Sequence, residues 1–251
     1  MTRRNLITPL SNRLALGAAF VTLISSATRA SEAQMHEIVA AVSADRIEAS
    51  IETLVGFGTR HTLSETQSDV RGIGAARRWI EAEFNRIADD CGGCLEVSTV
   101  AGIVSGTDRI PDPVEVVNVI AILRGTEDPN RLTIMSGDID TRVSDPMNAE
   151  SDSPGANDNG SGMAGVIEAA RVLSQYRFAG SIGFVGLSGE EQGLNGGAIL
   201  AQHAIDEGWN IDAVNRWHLG QQSAKSLIVE QRVVTVPCEE VVAVLSVNHQ
   251  V

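Results

Sequence analysis

The feature that most constrains this chain is the run Val116–Leu123, which reads VVNVIAIL and is apolar at every position but Asn118. A strand with one face in water alternates apolar and polar residues, whereas a continuous run must be covered on both faces. Helices are the usual cover, and the flanking sequence supplies them. Ile73, Ala76, Ile80, Phe84 and Ile87 follow helical spacing behind a candidate N-cap at Ser68. Met163, Val166, Ile167, Ala170 and Leu173 do the same after Ser161, and residues 37–54 and 194–207 read as further helices. Leu95–Val100, Leu132–Met135 and Ser181–Leu187 have the branched density of strands. Strands alternating with helices predict an α/β fold: a three-layer sandwich with a mostly parallel central sheet and helices on both faces.

Composition narrows the function. With 32 acidic against 19 basic residues the 251-residue chain has a net charge of −13, which excludes a general nucleic-acid or anionic-membrane binder. Aromatic residues are 4%, too few for stacking platforms. The first 30 residues place Arg3 and Arg4 ahead of the uncharged segment Leu14–Ile24 and then small residues up to Ala30. That order predicts a secretory signal over 1–30 and export to a periplasmic or extracellular compartment, with no membrane association after cleavage. An oxidising compartment turns Cys91-Gly92-Gly93-Cys94 into a candidate disulfide loop, with a redox pair as the alternative. A zinc site there lacks a second Cys pair, and Cys238 has no evident partner.

In α/β sheets chemistry gathers in loops at the carboxyl ends of strands. Five acids fall there: Asp138 and Asp140 after one strand, Asp158 in the glycine-rich loop 155–162, and Glu190 and Glu191 after the strand ending at Leu187. Singly, each reads as a helix cap or a solvated charge. Together on one rim they repel unless a cation neutralises them, and a divalent metal with oxygen ligands meets that requirement. Neighbouring residues at a strand end point apart, so Glu190 and Glu191 can serve different tasks.

Gly155-Ala156-Asn157-Asp158 before a helix opening Ser161-Gly162-Met163-Ala164, followed by Glu190-Glu191-Gln192-Gly193-Leu194, resembles the co-catalytic di-zinc exopeptidases of the leucyl aminopeptidase and glutamate carboxypeptidase type. The resemblance runs through 116–203 and more loosely through 37–123. It implies a zinc exopeptidase-like domain over 31–215, incomplete at its carboxyl end, and two zinc ions, or fewer where ligands are missing. Asp158 would bridge the ions, Glu191 would bind one, and Glu190 would be the general base towards a water that attacks a peptide carbonyl. Asp140 matches the acid that orients the first ligand. The implied activity is release of amino acids from peptide N-termini.

Two departures qualify this. Asp138 stands where the family has histidine; a carboxylate can ligate zinc, but it makes the site more anionic and leaves Asp140 facing a second acid. Beyond Glu191 the expected later Asp and His are not in their motifs: Asp212 comes early, and His218 and His249 lack the surrounding pattern. The tail 216–251 carries strand-like runs without a motif, and a reading-frame slip near Asn215 is the expectation, with a divergent natural terminus as the competing account. His36 and His61 read as structural or exposed, Arg142 as a salt-bridge partner, and Ser188 lacks the second glycine of a nucleophile turn. A mono-zinc glutaminyl cyclase-like enzyme and a non-catalytic or truncated relative remain the alternatives.

Overall fold

The computed structural model describes residues 33–216. The leader-like segment, Cys238, His218, His249 and the tail beyond 216 lie outside them. The chain divides into two units, 1–42 and 43–251. In the first, residues 33–40 are helical and His36 is exposed. The single helix expected over 37–54 is therefore interrupted, because Ser43 takes extended backbone angles and its hydroxyl accepts from the Arg46 amide, starting a new helix.

The second unit runs α1 (Ala44–Gly56), α2 (Gly72–Asp90), β1 (Leu95–Val104), β2 (Val114–Leu123), β3 (Asp128–Asp138), a wide helical turn at Ala156–Ser161, α3 (Gly162–Leu173), β4 (Gly180–Leu187), α4 (Asn195–Asp206) and β5 (Asn210–Arg216). Ser68 is not the cap of α2. Its hydroxyl accepts from the Val70 and Arg71 amides in the turn before the helix, and α2 starts at Gly72 behind Arg71 with no side-chain cap.

The strands form one five-stranded sheet in the order β1-β2-β4-β3-β5. β3 pairs with β4 and β5 in parallel, while β2 pairs antiparallel with both β1 and β4. The mostly parallel sheet expected from the sequence is thus corrected to a mixed one. The cause is local: β1 and β2 are joined by the turn 105–113 with no helix, and the short link 124–127 reverses the chain again, so β2 runs against β3 and its parallel neighbour β4. The segments β3-α3-β4 and β4-α4-β5 keep helical crossovers and stay parallel.

The two-sided burial of β2 is as expected. Val119, Ala121 and Leu123 join Phe184 under α1, α2 and α3, packing with Leu54, Ile80, Phe84, Met163 and Val166. Ile120 and Ile122 point the other way, with Ile134, Val185 and Leu187, onto Leu200, Ala201 and Ala204 of α4. Each such fully buried side chain contributes about 1.5–3 kcal/mol, which makes the two cores the main source of stability. Asn118, the polar member of the run, is fully buried. Its Oδ1 accepts from the Ser188 amide and its Nδ2 donates to the Gly196 carbonyl. Cys91 and Cys94 form the expected disulfide just beyond α2. Among the described residues no helix is long and apolar enough to cross a membrane.

One buried cation ties the strand ends together. Arg60 is fully buried and donates to the carbonyls of Leu54, Ile139, Pro154 and Gly155. Its amide donates to Thr141 Oγ1, which in turn donates to the Ser153 carbonyl. Replacing Arg60 with methionine would remove four hydrogen bonds, although the Leu54 and Gly155 carbonyls keep the amides of Phe57 and Gly160. At roughly 1 kcal/mol for each bond lost without replacement, Arg60→Met is expected to lower unfolding free energy in urea by about 2–3 kcal/mol. Amide exchange should accelerate first in 141–161, the loop those carbonyls anchor.

Candidate functional site

Four of the five predicted acids meet at the carboxyl ends of β3 and β4. Asp138 is the last residue of β3 and pairs in register with Leu187, the last residue of β4. Asp138 and Asp140 are buried at 3% and 1% exposure. Glu190 and Glu191 are partly buried in the turn after β4, and Asp158 is exposed at the kink of the wide turn.

Asp140 organises this rim. Its two oxygens accept the backbone amides of Glu190 (3.1 Å) and Glu191 (3.0 Å), and Oδ2 also accepts from the Thr62 hydroxyl at 2.9 Å. With both amides fixed on one carboxylate, the two glutamate side chains diverge. Glu191 meets Arg142 at 2.6 Å, the salt bridge expected of that arginine. Glu190 meets Arg216 at 2.7 Å. The role the resemblance implied for Asp140, orienting the first ligand, has a different local counterpart here: the side chain holds main chain.

Asp138 Oδ2 accepts from Arg216 Nη2 at 2.8 Å and from Asn159 Nδ2 at 2.9 Å, while Asn159 Oδ1 receives the Gly162 amide that opens α3. The other oxygen, Oδ1, is buried without a partner among the described residues. The loop carrying Asn159 is shaped by Gly155, whose φ of 46° is left-handed and whose Cβ, if present, would lie 2.2 Å from Thr141 Cγ2. His61 is fully buried, its Nδ1 accepting the Leu63 amide and its Nε2 facing the Pro146 carbonyl, so it is structural as expected. Ser188 hydrogen-bonds Asn118, Val117 and Arg77 and is no nucleophile.

Asp138, Asp140 and Glu191 titrate high. Burial raises Asp138, with the charge of Arg216 opposing. Burial and then the neighbouring Asp138 charge push Asp140 up to about 7. Burial and the charge of Glu190 raise Glu191, against the pull of Arg142, and Asp158 adds to that repulsion. Burial works against the Arg216 charge, but Asp138 and Glu190 more than offset it, and its pKa is raised.

In kind, these oxygen donors suit a divalent cation, and the orphaned Asp138 oxygen is a group that wants one. In arrangement they do not fit a metal. The guanidinium groups of Arg142 and Arg216 lie on Glu191, Asp138 and Glu190, and among the described residues no group of three or more His, Cys, Asp or Glu side chains is placed to hold an ion. Sequence reasoning missed Arg216, Thr62 and Asn159. Asn159 carried a usable signal, being polar and adjacent to Asp158 at a helix start; Arg216 carried none, since its partner Asp138 is 78 residues away.

Comparison with known proteins agrees with this architecture. Residues 118–230 match the peptidase family M28. A probable zinc metalloprotease of Pyrenophora teres f. teres is 45% identical over 181 residues, 72% of this chain and 38% of that protein. One from Pyricularia oryzae is 46% identical over 184 residues, 73% of this chain and 36% of that one. The chain thus spans well under half the length of these relatives. Among solved structures, LapB of Legionella pneumophila superposes with a TM-score of 0.59 at 23% identity, over 77% of this chain and 48% of its own. At that identity the likeness is one of fold.

The titrations have a consequence for stability. An acid whose pKa is higher in the folded protein keeps its proton where the unfolded chain has lost it, so stability falls as pH rises across that window. For Asp140 the window runs from 3.8 to about 7, and Asp138 and Glu191 act with the same sign. In chelator-treated protein, urea midpoints should decline steadily from pH 5 to pH 7.5. Asp140→Asn should flatten the decline; an unchanged slope in that variant would assign it elsewhere.

Proposed function

Because residues 118–230 belong to peptidase family M28, we propose that the chain is the exopeptidase domain of a zinc metallopeptidase that acts on peptide N-termini. The relatives named as zinc metalloproteases support the metal, and the acid rim supports the reaction type. The single observation that carries the reading is the divergence of Glu190 and Glu191 from a turn pinned by Asp140. Such a turn separates two carboxylates that the sequence places side by side, leaving one to hold and the other to act. In this reading Glu191, which Arg142 now pairs, is the one that holds. Glu190, beside the mouth formed by β3 and β4, accepts the proton of the water that attacks the scissile carbonyl and returns it to the leaving amine. Asp140 is a positioning residue that keeps the Glu190 backbone in place for that transfer. Asp138, Asp158 and Glu191 are the acids assigned to zinc.

We also place the protein outside the cytoplasm, periplasmic or secreted. The leader-like residues 1–30 and the Cys91–Cys94 disulfide, at home in an oxidising compartment, both support this.

A second reading is favoured by the arginines on Asp138, Glu190 and Glu191: a relative that binds peptides without cleaving them. An aminoacyl p-nitroanilide assay with added zinc separates the two. The peptidase reading expects zinc-dependent release of nitroaniline, falling at least about 100-fold in Glu190→Gln while zinc content by mass spectrometry stays level. Undiminished turnover in that variant would remove Glu190 as the base. Peptide binding by calorimetry with no turnover at any zinc level would favour the second reading.

A further inference from the structure

Arg216 is placed by the sheet. β5 pairs with β3 in parallel, and Arg216 stands in register with Ser136, two residues before Asp138. Side chains two apart on a strand leave the same face, so Arg216, Ser136 and Asp138 share the face that α4 covers. There, one nitrogen, Nη2, donates to two carboxylates from two different strand ends, Asp138 Oδ2 at 2.8 Å and Glu190 Oε1 at 2.7 Å. Nε adds a contact to Asp138 Oδ2 at 3.2 Å. The three side chains are 17%, 4% and 12% exposed, so the attraction is poorly screened by water. The salt bridge of Arg142 to Glu191 is more open, with the arginine 31% exposed.

Among the described residues Leu187, Ser188, Leu194 and Gly197 line, with Asp138, Glu190 and Arg216, a small cavity of about 10 Å³. That is at the lower limit for a single water. An ion bridging Asp138 Oδ2 and Glu190 Oε1 would compete with the guanidinium that already bridges them.

We propose that Arg216 is the resident cation of the Asp138–Glu190 pair and excludes a metal ion from it, so that zinc occupies this position only when the guanidinium leaves. Bridging two strand-end carboxylates by one positive group is the task a metal would perform there, and the guanidinium does it with directed hydrogen bonds. The orphaned Asp138 Oδ1 is consistent with a fork that reaches only one oxygen of that carboxylate. The inference rests on the metal centre of the proposed function but not on turnover.

The test is calorimetric titration of the full chain, stripped of metal, with zinc chloride and no peptide. The unmodified chain should take about one ion or fewer. Arg216→Gln, which is shorter and loses the charge, should bind zinc at least about tenfold more tightly, or take about one further ion. Arg216→Lys, which keeps the charge, should stay near the parent. Adding Asp138→Asn to Arg216→Gln should erase the gain. Equal zinc binding by the parent and Arg216→Gln, or a gain that survives Asp138→Asn, would overturn the proposal. Two ions bound by the unmodified chain would overturn it as well, whatever the folding of the variants. Because peptide is absent, failure of the peptidase reading shows only in the nitroanilide assay and is told apart from failure here.

Discussion

The guanidinium of Arg60 is the contact on which the working end of the molecule depends. It joins the last turn of α1, the exit of β3 and the loop ahead of α3 through four carbonyls. A buried charge solvated by neutral carbonyls is costly, and burial draws the pKa of Arg60 down to about 10, with Asp140 working against that fall. The cost is met by geometry. Three segments remote in sequence acquire a common fixed point, and Asp138, Asp140 and the turn at Ala156–Ser161 inherit their positions from it.

Around that point the acids are handled in two ways. Asp140 is compensated by amide and hydroxyl dipoles, which fix chain direction but bring no net charge. Burial and the neighbouring Asp138 charge still raise its pKa, against the pull of those dipoles. Asp138, Glu190 and Glu191 are compensated by full positive charges from β5 and the loop after β3. The first device suits a group that orders backbone and stays put. The second suits groups whose counter-charge can be exchanged.

How much of this was readable varies with how local the cause is. The layered fold was legible in Val116–Leu123, because two-sided burial needs two layers of helix. Strand direction was not: an apolar run is the same read either way, and the antiparallel half of the sheet follows from the helix-free links 105–113 and 124–127. Likewise Glu190 and Glu191 stood out because neighbouring acids at a strand end are unusual, and Asp158 because its glycine-rich loop is. Arg216 and Thr62 reach the site only through pairing and packing across the fold, so no spacing announces them. The break at Ser43 was missed because helical spacing continues across it while the cap that restarts the helix is one hydroxyl.

Asn118 has a role that burial alone does not express. In a strand that is apolar on both faces, sliding by one residue exchanges one set of hydrophobic side chains for another and meets little resistance from patterning. The alignment of β2 with β4 must therefore be set by something that cannot be exchanged. The carboxamide of Asn118 matches one donor at Ser188 and one acceptor at Gly196, and the latter lies where an added Cβ would be 2.1 Å from the Ser188 carbonyl oxygen. Any slip would bury both ends of that amide against hydrocarbon. The single polar residue in the most apolar segment thus works as a ruler for the sheet, fixing how far β4 extends and, with it, where Glu190 and Glu191 emerge.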